Sequence, residues 1–249
     1  MMNCYNQRMT TLLYQTDAYL KEFSATITSV DVETRAVVLD QTAFYPGGGG
    51  QPCDFGSLEV AGVTYPVEKV KKQGDDILHF LGGTHPLPDS NSAAASRGTL
   101  DWVRRHQLMR THTALHILCG TVFRDYGAKV TGGDMDPLKG RMDFEFENMR
   151  GELVKAIEAA TNFEIEQRRE IKVKILPRDE AFLIPDLIRT KIDLLPREIK
   201  QIRTVEIVGL DLQADGGTHV MNTSEVGKIK VVDYKSKGAI NKRIYIEIG

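Results

Sequence analysis

The chain has 249 residues, of which 41% are hydrophobic, 27% are charged and 7% are aromatic. These proportions are typical of a globular protein and exclude a disulfide-stapled miniprotein. The 32 basic and 34 acidic side chains leave a net charge of -2. A nucleic-acid partner would therefore be held by local basic patches, because the molecule as a whole is not a polycation.

The sequence contains no run that approaches the roughly 18 to 20 apolar residues of a membrane span. Its first eight residues lack the apolar stretch of a signal peptide. The three cysteines, Cys4, Cys53 and Cys119, lie far apart and are odd in number, which is typical of thiols in a reducing compartment. We therefore expect a cytoplasmic protein with no membrane segment. The sequence gives no indication of the oligomeric state.

The first third of the chain is typical of a small β-structure. Over residues 25–80, short apolar runs such as 36–39 and 67–70 are separated by Asp, Gly and Pro. This spacing predicts a small antiparallel sheet or barrel. Residues 82–98 are rich in Gly, Pro, Ser, Asn and Ala, which indicates a linker. We therefore predict an N-terminal β-barrel domain over residues 1–95 and a second domain over residues 96–249.

The second region begins with a predicted helix over residues 100–126. One face of that helix recurs at steps of four, four, three and four residues, which is the helical period, and Gly127 provides a stop. The residues on this face are Leu108, His112, His116, Cys119 and Phe123.

The remaining pattern mixes helix and strand. Alternation predicts strands and longer periodicity predicts a helix, and Pro177 is placed to open a short helix that Pro185 ends. The predicted strands cover residues 142–146, 171–175, 228–232 and 243–248, and the helix covers residues 151–169. The fold class predicted for the whole chain is α+β, with an N-terminal β-barrel and a C-terminal antiparallel sheet on which helices pack.

Two histidines of the predicted helix, His112 and His116, are four residues apart. Both imidazoles therefore project from one helical face, as two ligands of a metal ion would. Two ligands alone hold zinc weakly, so a third must come from elsewhere in the chain. The best source is the segment 215–219, because two glycines allow a tight turn between Asp215 and His219. His219 is the predicted third nitrogen ligand, and Asp215 is either an oxygen ligand or a residue that orients the site.

Neither motif is specific when it stands alone. Histidine pairs at this spacing arise by chance, and residues 82–85 repeat the letters of residues 216–219 in a proline-rich loop. Cys119 is predicted to be a small core residue, because lone cysteines on apolar helical faces are usually buried. If the three histidines do converge, they leave one coordination position open, which suits metal-assisted hydrolysis.

Three segments resemble motifs of a known family. Residues 104–116 and 216–220 resemble the paired metal motifs of the alanyl-tRNA synthetase editing domain. Residues 42–54 resemble the glycine-rich motif of the N-terminal β-domain in the same family. The resemblance runs over residues 12–248 and is strongest to the free-standing AlaX trans-editing proteins of the medium-length class.

The resemblance implies an enzyme that hydrolyses the ester of alanine tRNA carrying serine, with glycine as a second candidate. It implies one zinc ion per chain and a catalytic role for His112, His116 and His219 as its ligands. The family commonly has cysteine where this sequence has Asp215, which leaves the number of ligands open.

The glycine-rich segment has its own predicted role. Consecutive glycines permit positive φ and bring backbone N–H groups close to a ligand, so we predict that Gly48, Gly49, Gly50 and Gln51 bind substrate. The alternative is a turn between strands. Thr42 is the predicted serine discriminator, because an alanine ester would leave its hydroxyl unpaired at a cost of ~1 to 3 kcal/mol.

Arg104, Arg105 and Arg110 flank the histidines and are the predicted RNA contacts, with solvated surface charge as the alternative. Two other functions remain open at this point. Another small metal hydrolase would need a general-base glutamate, yet only Thr113, Ala114 and Leu115 lie between the two histidines. The other is a non-catalytic tRNA-binding module that contains zinc.

Overall fold

The structure is a computed structural model that describes residues 9–89, 94–188 and 199–249. The chain divides into two compact units. Unit 1 comprises residues 1–48 and 52–105, and unit 2 comprises residues 49–51 and 106–249. Within the described ranges, no helix has both the length and the apolar character needed to cross a bilayer. Cys53 and Cys119 form no disulfide there, and Cys4 lies outside those ranges.

Unit 1 contains a closed barrel of six strands in the order β2-β3-β7-β6-β5-β8. The barrel closes because β8 pairs antiparallel with both β2 and β5. Unit 1 also contains a short parallel pair of strands, β1-β4, and a 3-10 helix over Leu13–Gln15. The strands of unit 1 are β1 (Thr11–Leu12), β2 (Glu22–Asp31), β3 (Ala36–Leu39), β4 (Gln41–Thr42), β5 (Gly56–Val60), β6 (Val63–Gln73), β7 (Asp76–Leu81) and β8 (Ala95–Leu100).

Alternation of buried and more exposed residues along β2 and β7 directs one row of side chains into the barrel. The apolar core that results includes Phe23, Leu39, Phe44, Leu58 and Ile77. The predicted N-terminal β-barrel is therefore confirmed.

The boundary between the units differs from the predicted one. Unit 1 extends through Arg105, ten residues beyond the expected limit at residue 95, because β8 supplies the strand that closes the barrel. The predicted linker thus contains a strand, and its residues 90–93 lie outside the described ranges. The small residues that indicated a loop have a packing role. A Cβ on Gly98 would lie 2.4 Å from a carbon of the Phe23 ring.

The predicted histidine helix is confirmed as α1, which runs over Trp102–Tyr126. The Asp101 side chain caps its start by accepting a hydrogen bond from the Arg104 backbone N–H at 3.1 Å. Gly127 ends the helix with a φ of 65°. Residues 111–122 are buried on every side, whereas the periodicity had indicated one buried face.

Unit 2 combines helices with two antiparallel sheets, which confirms the α+β class. The first sheet has the order β14-β15-β10-β9, and the second has the order β11-β12-β13. The strands are β9 (Val130–Asp136), β10 (Lys139–Glu145), β11 (Ile171–Pro177), β12 (Gln201–Ile207), β13 (Asp211–Ala214), β14 (Ile229–Ser236) and β15 (Asn241–Ile248). The other helices are α2 (Gly151–Glu166), α3 (Arg178–Ala181) and a 3-10 helix over Thr223–Glu225.

Most elements of unit 2 follow the sequence pattern. The four predicted strands correspond to β10, β11, β14 and β15, and the predicted helix corresponds to α2. Pro177 immediately precedes α3, as expected. Strands β9, β12 and β13 were not predicted from the sequence. The last of these is the one that leads into the turn bearing Asp215.

Candidate metal centre

Four side chains of unit 2 converge on one point. His112, His116, Asp215 and His219 each offer one potential ligand atom, and these atoms all lie within 4.8 Å of one another. The His112 and His219 rings stack with centroids 4.3 Å apart, and the His116 centroid lies 4.7 Å from that of His219. The structure thus brings together all four residues that the sequence singled out for a metal.

The group is assembled from two elements. Adjacent turns of α1 present His112 and His116, and the turn after β13 presents Asp215 and His219. That turn passes very close to the helix. A Cβ on Gly217 would lie 2.3 Å from His112 Cε1 and 2.6 Å from Gln51 Oε1, so only glycine fits there. The Gly217 N–H donates to Asp215 Oδ2 at 2.7 Å and tightens the turn.

Each histidine makes a separate contact through its Nδ1 atom. The His112 Nδ1–H donates to Gln51 Oε1 at 3.0 Å, and the His116 Nδ1–H donates to Asp211 Oδ2 at 3.2 Å. The Nδ1 atom of His219 lies 3.1 Å from Thr113 Oγ1. All three Nε2 atoms are therefore the ones available to a ligand, as in metal sites where outer partners fix the orientation of histidine.

The spacing and chemistry of these atoms fit a divalent metal ion. His112 Nε2 lies 3.5 Å from Asp215 Oδ1, and His219 Nε2 lies 3.0 Å from Asp215 Oδ2. Tetrahedral zinc with bonds near 2.0 to 2.1 Å places its donor atoms about 3.4 Å apart. Three imidazoles and one carboxylate also form a donor set that zinc accepts. This group could therefore bind a metal ion.

The protonation of three of the four side chains suits metal binding. Burial lowers the pKa of His112 well below its usual value, and burial lowers the pKa of His219 to about 4. Burial also opposes ionisation of Asp215, but the interaction with His112 and the hydrogen bond with His219 hold its pKa well below the usual range. Burial likewise pulls the pKa of His116 down, yet the hydrogen bond to Asp211 and the nearby carboxylates raise it overall.

Gln51 connects the glycine-rich loop to the histidines within unit 2. Its Oε1 accepts hydrogen bonds from His112 Nδ1 and from the Thr218 N–H at 3.0 Å, and its Nε2 donates to Thr218 Oγ1 at 2.9 Å. The preceding four glycines all have positive φ, between 58° and 139°. Gly50 lies against β9, where its carbonyl accepts from the Met135 N–H at 3.2 Å.

Thr42 belongs to unit 1, as does Gly48, whereas Gly49, Gly50 and Gln51 are grouped with the histidines in unit 2. Thr42 is fully buried. Its hydroxyl donates to His79 Nε2 at 2.8 Å and accepts from the Phe44 N–H at 3.1 Å. Burial lowers the pKa of His79 to about 4, so the ring is neutral and its Nε2 can accept this hydrogen bond at neutral pH.

The structure corrects the role predicted for Arg105. This side chain is fully buried in unit 1, where its guanidinium pairs with Asp54 and donates to the Ala18 carbonyl. It is a structural ion pair that a phosphate cannot reach. The sequence gives no direct signal of this burial, because an arginine beside another arginine is usually solvated.

The other two arginines are half-buried and already hydrogen-bonded within their own units. The Arg104 guanidinium lies 4.2 Å from the centre of the Phe55 ring and donates to the Cys53 carbonyl. Arg110 donates to the Val226 carbonyl at 2.9 Å and to the Gly249 carbonyl at 2.7 Å. RNA contact by these two residues stays a prediction.

Two partners that orient the histidines, Asp211 for His116 and Thr113 for His219, were not predicted from the sequence. A carboxylate shortly before the predicted ligand turn was the only available signal for Asp211. Cys119 is buried outside the convergent group, and its Sγ accepts from Gln213 Nε2 at 3.4 Å. This placement agrees with the core role expected for it.

Two family models of tRNA synthetase domains match segments of this chain. The family model described as the threonyl and alanyl tRNA synthetase second additional domain matches residues 202–245, which include Asp215 and His219. The model described as tRNA synthetases class II (A) matches residues 4–90.

Full-length relatives carry the same relationship over nearly the whole chain. The chain is 40% identical to the alanyl-tRNA editing protein AlaX-M of Saccharolobus solfataricus and 36% identical to that of Methanosarcina barkeri, covering 96% of this chain and 99% of each relative. It is 38% identical to the alanine–tRNA ligase of Ignicoccus hospitalis, with coverage of 88% of this chain but only 24% of the ligase. The chain belongs to the AlaX-M family of alanyl-tRNA editing proteins.

Proposed function

We propose that this protein hydrolyses alanine tRNA charged with serine, that glycine is a second substrate, and that zinc bound by the convergent group assists the reaction. The coarser activity follows from the family: the chain is a deacylase that edits mischarged alanine tRNA in trans. The observation that carries the finer proposal is the convergence of His112, His116, Asp215 and His219. Cytoplasmic action is part of the proposal, because charged tRNA is the substrate.

Different residues of the chain would bind the metal, accept a proton and bind the substrate during ester hydrolysis. When bound, zinc supplies a Lewis acid for the ester carbonyl or for the attacking water. The three imidazoles would hold the ion through Nε2, because their Nδ1 atoms are engaged with Gln51, Thr113 and Asp211. Asp215 is ionised at neutral pH, so it can either complete the donor set or accept the proton of the attacking water. The glycine-rich loop offers backbone N–H groups for the ribose or the ester carbonyl.

The two alternative functions are less well supported. A thermolysin-like hydrolase needs a glutamate between the paired histidines, and that stretch of α1 holds only buried threonine, alanine and leucine. A non-catalytic module would need a metal site that is closed to substrate. The family relationship to editing proteins favours turnover instead.

The decisive experiment follows release of amino acid from alanine tRNA that carries serine, glycine or alanine. We expect serine release to be fastest and alanine release slowest. Removal of metal by a chelator, verified by elemental analysis, should stop release, and added zinc should restore it. Absence of release under every metal condition would refute the hydrolase. Full activity in verified metal-free protein would refute metal assistance alone.

Thr42→Val tests the predicted serine discriminator. Loss of the hydroxyl should lower the ratio of serine to alanine release by about 5- to 150-fold, the equivalent of ~1 to 3 kcal/mol. Because the hydroxyl proton is donated to His79, Thr42 would receive a serine hydroxyl through its remaining lone pair. Urea unfolding should be measured on the same variant. A lower stability with an unchanged ratio would mean that Thr42 serves only the barrel.

A further inference from the structure

One carboxylate beside the convergent group has no part in the proposed donor set. Asp211 is buried at the start of β13, and its Oδ2 lies 3.2 Å from His116 Nδ1. Because Asp211 engages Nδ1, the other ring nitrogen, Nε2, is the atom that His116 can offer to the group formed with His112, Asp215 and His219. Asp211 therefore contacts the side of the ring that faces away from the proposed metal.

Two neighbours keep Asp211 in this place. The Gln213 side chain donates from Nε2 to Asp211 Oδ2 at 2.6 Å, so the same oxygen accepts hydrogen bonds from both Gln213 and His116. On α1, Gly120 lies directly against the aspartate, because a Cβ there would be 2.9 Å from Asp211 Cβ. A glycine one turn after His116 thus lets β13 approach closely enough for the carboxylate to reach the ring.

We propose that Asp211 is a positioning residue, which accepts the Nδ1–H of His116 and thereby fixes the ring with its Nε2 lone pair directed at the metal. The proposal rests on the metal site of the proposed function. Its chemistry is general: a carboxylate on the far nitrogen sets the tautomer of a ligating histidine and increases its basicity. Of the three histidines, only His116 has a carboxylate on Nδ1; Gln51 and Thr113 serve the other two.

Zinc affinity of the purified protein provides the first test, measured by competition with a chromophoric chelator. Asp211→Ala should weaken zinc binding by about 10- to 100-fold. Asp211→Asn should retain part of that affinity, since an amide oxygen can still accept from Nδ1–H. The matched control is Asp143→Asn, which changes another buried aspartate of unit 2, paired with Arg243, and should leave zinc affinity unchanged.

The second test needs no variant and is therefore independent of any failure to fold. Nitrogen-15 NMR of the zinc-loaded wild-type protein should show His116 with a proton on Nδ1 that exchanges slowly with water and with its Nε2 bound to zinc. Binding of zinc through Nδ1 would overturn the proposal.

The possible failures are distinguishable. Wild-type affinity in both Asp211 variants overturns the role of Asp211 while the metal site stands. A wild-type protein that binds no zinc overturns the metal site and, with it, this role. Weaker binding in Asp211→Ala and partial recovery in Asp211→Asn, with Asp143→Asn unchanged, supports the proposal.

Discussion

Replacement of His116 by alanine is expected to lower serine release from mischarged alanine tRNA by about 10³-fold, because a Lewis acid supplies several kcal/mol to such reactions. His116 belongs to the convergent group, and its loss leaves three potential ligand residues. Zinc binding should weaken in parallel. Both effects are measured on the same preparation, by release of labelled serine and by elemental analysis.

His106→Ala is the matched control for this variant. His106 lies on the same helix but outside the convergent group, and its side chain is 33% exposed. Its Nε2 lies 3.7 Å from Glu225 Oε2. Its replacement should change the rate by no more than about twofold, as surface substitutions usually do. Melting temperatures should confirm that both variants fold. A folded His116→Ala protein that retains zinc and full activity contradicts the proposed site.

Gly217→Ala is expected to damage the site from the side of the turn. The added Cβ would lie 2.4 Å from His112 Nδ1 as well as 2.6 Å from Gln51 Oε1, so the ring, the amide or the turn must move. We expect a loss of about 1 to 3 kcal/mol in the free energy of unfolding, which is typical of overpacking. Zinc affinity should fall by about 100-fold, because the hydrogen bond that orients His112 breaks.

Gly216→Ala is the matched control for Gly217→Ala. A Cβ on Gly216 would have no heavy atom within 4 Å, so Gly216→Ala should bind zinc and release serine like the wild type. Chelator competition and urea unfolding on the two variants separate crowding of His112 from a general stiffening of the turn. Equal behaviour of the two alanine variants would count against the close approach seen at Gly217.

The sequence predicted those structural features that depend on a pattern of residues close together in the chain. A helical period places His112 and His116 on the same face of α1, and two glycines allow Asp215 and His219 to turn toward one point. The spacing of short apolar runs between turn residues likewise predicted the barrel. In these cases, the neighbours in the chain supply the constraint.

Features that depend on distant residues escaped prediction. β8 has the composition of a linker and is a strand only because β2 and β5 pair with it. Arg105 is buried because Asp54, 51 residues away, neutralises it. The contact between His116 and Asp211 spans 95 residues. These contacts join residues that are far apart in the chain, so patterns of neighbouring residues could not predict them.

Residues 49–51 belong to unit 2, although the residues on either side of them in the chain belong to unit 1. Unit 2 therefore cannot be produced complete as one continuous fragment. A recombinant fragment that began at residue 106 would carry every proposed ligand yet would lack Gln51, the acceptor for His112 Nδ1. Gln51 also donates a hydrogen bond from Nε2 to Thr218 Oγ1, and Thr218 lies 167 residues later in the chain. Closing so long a loop is entropically costly, so this bond should form late, after most of the polypeptide has folded. Metal uptake would then report completed folding of the whole polypeptide.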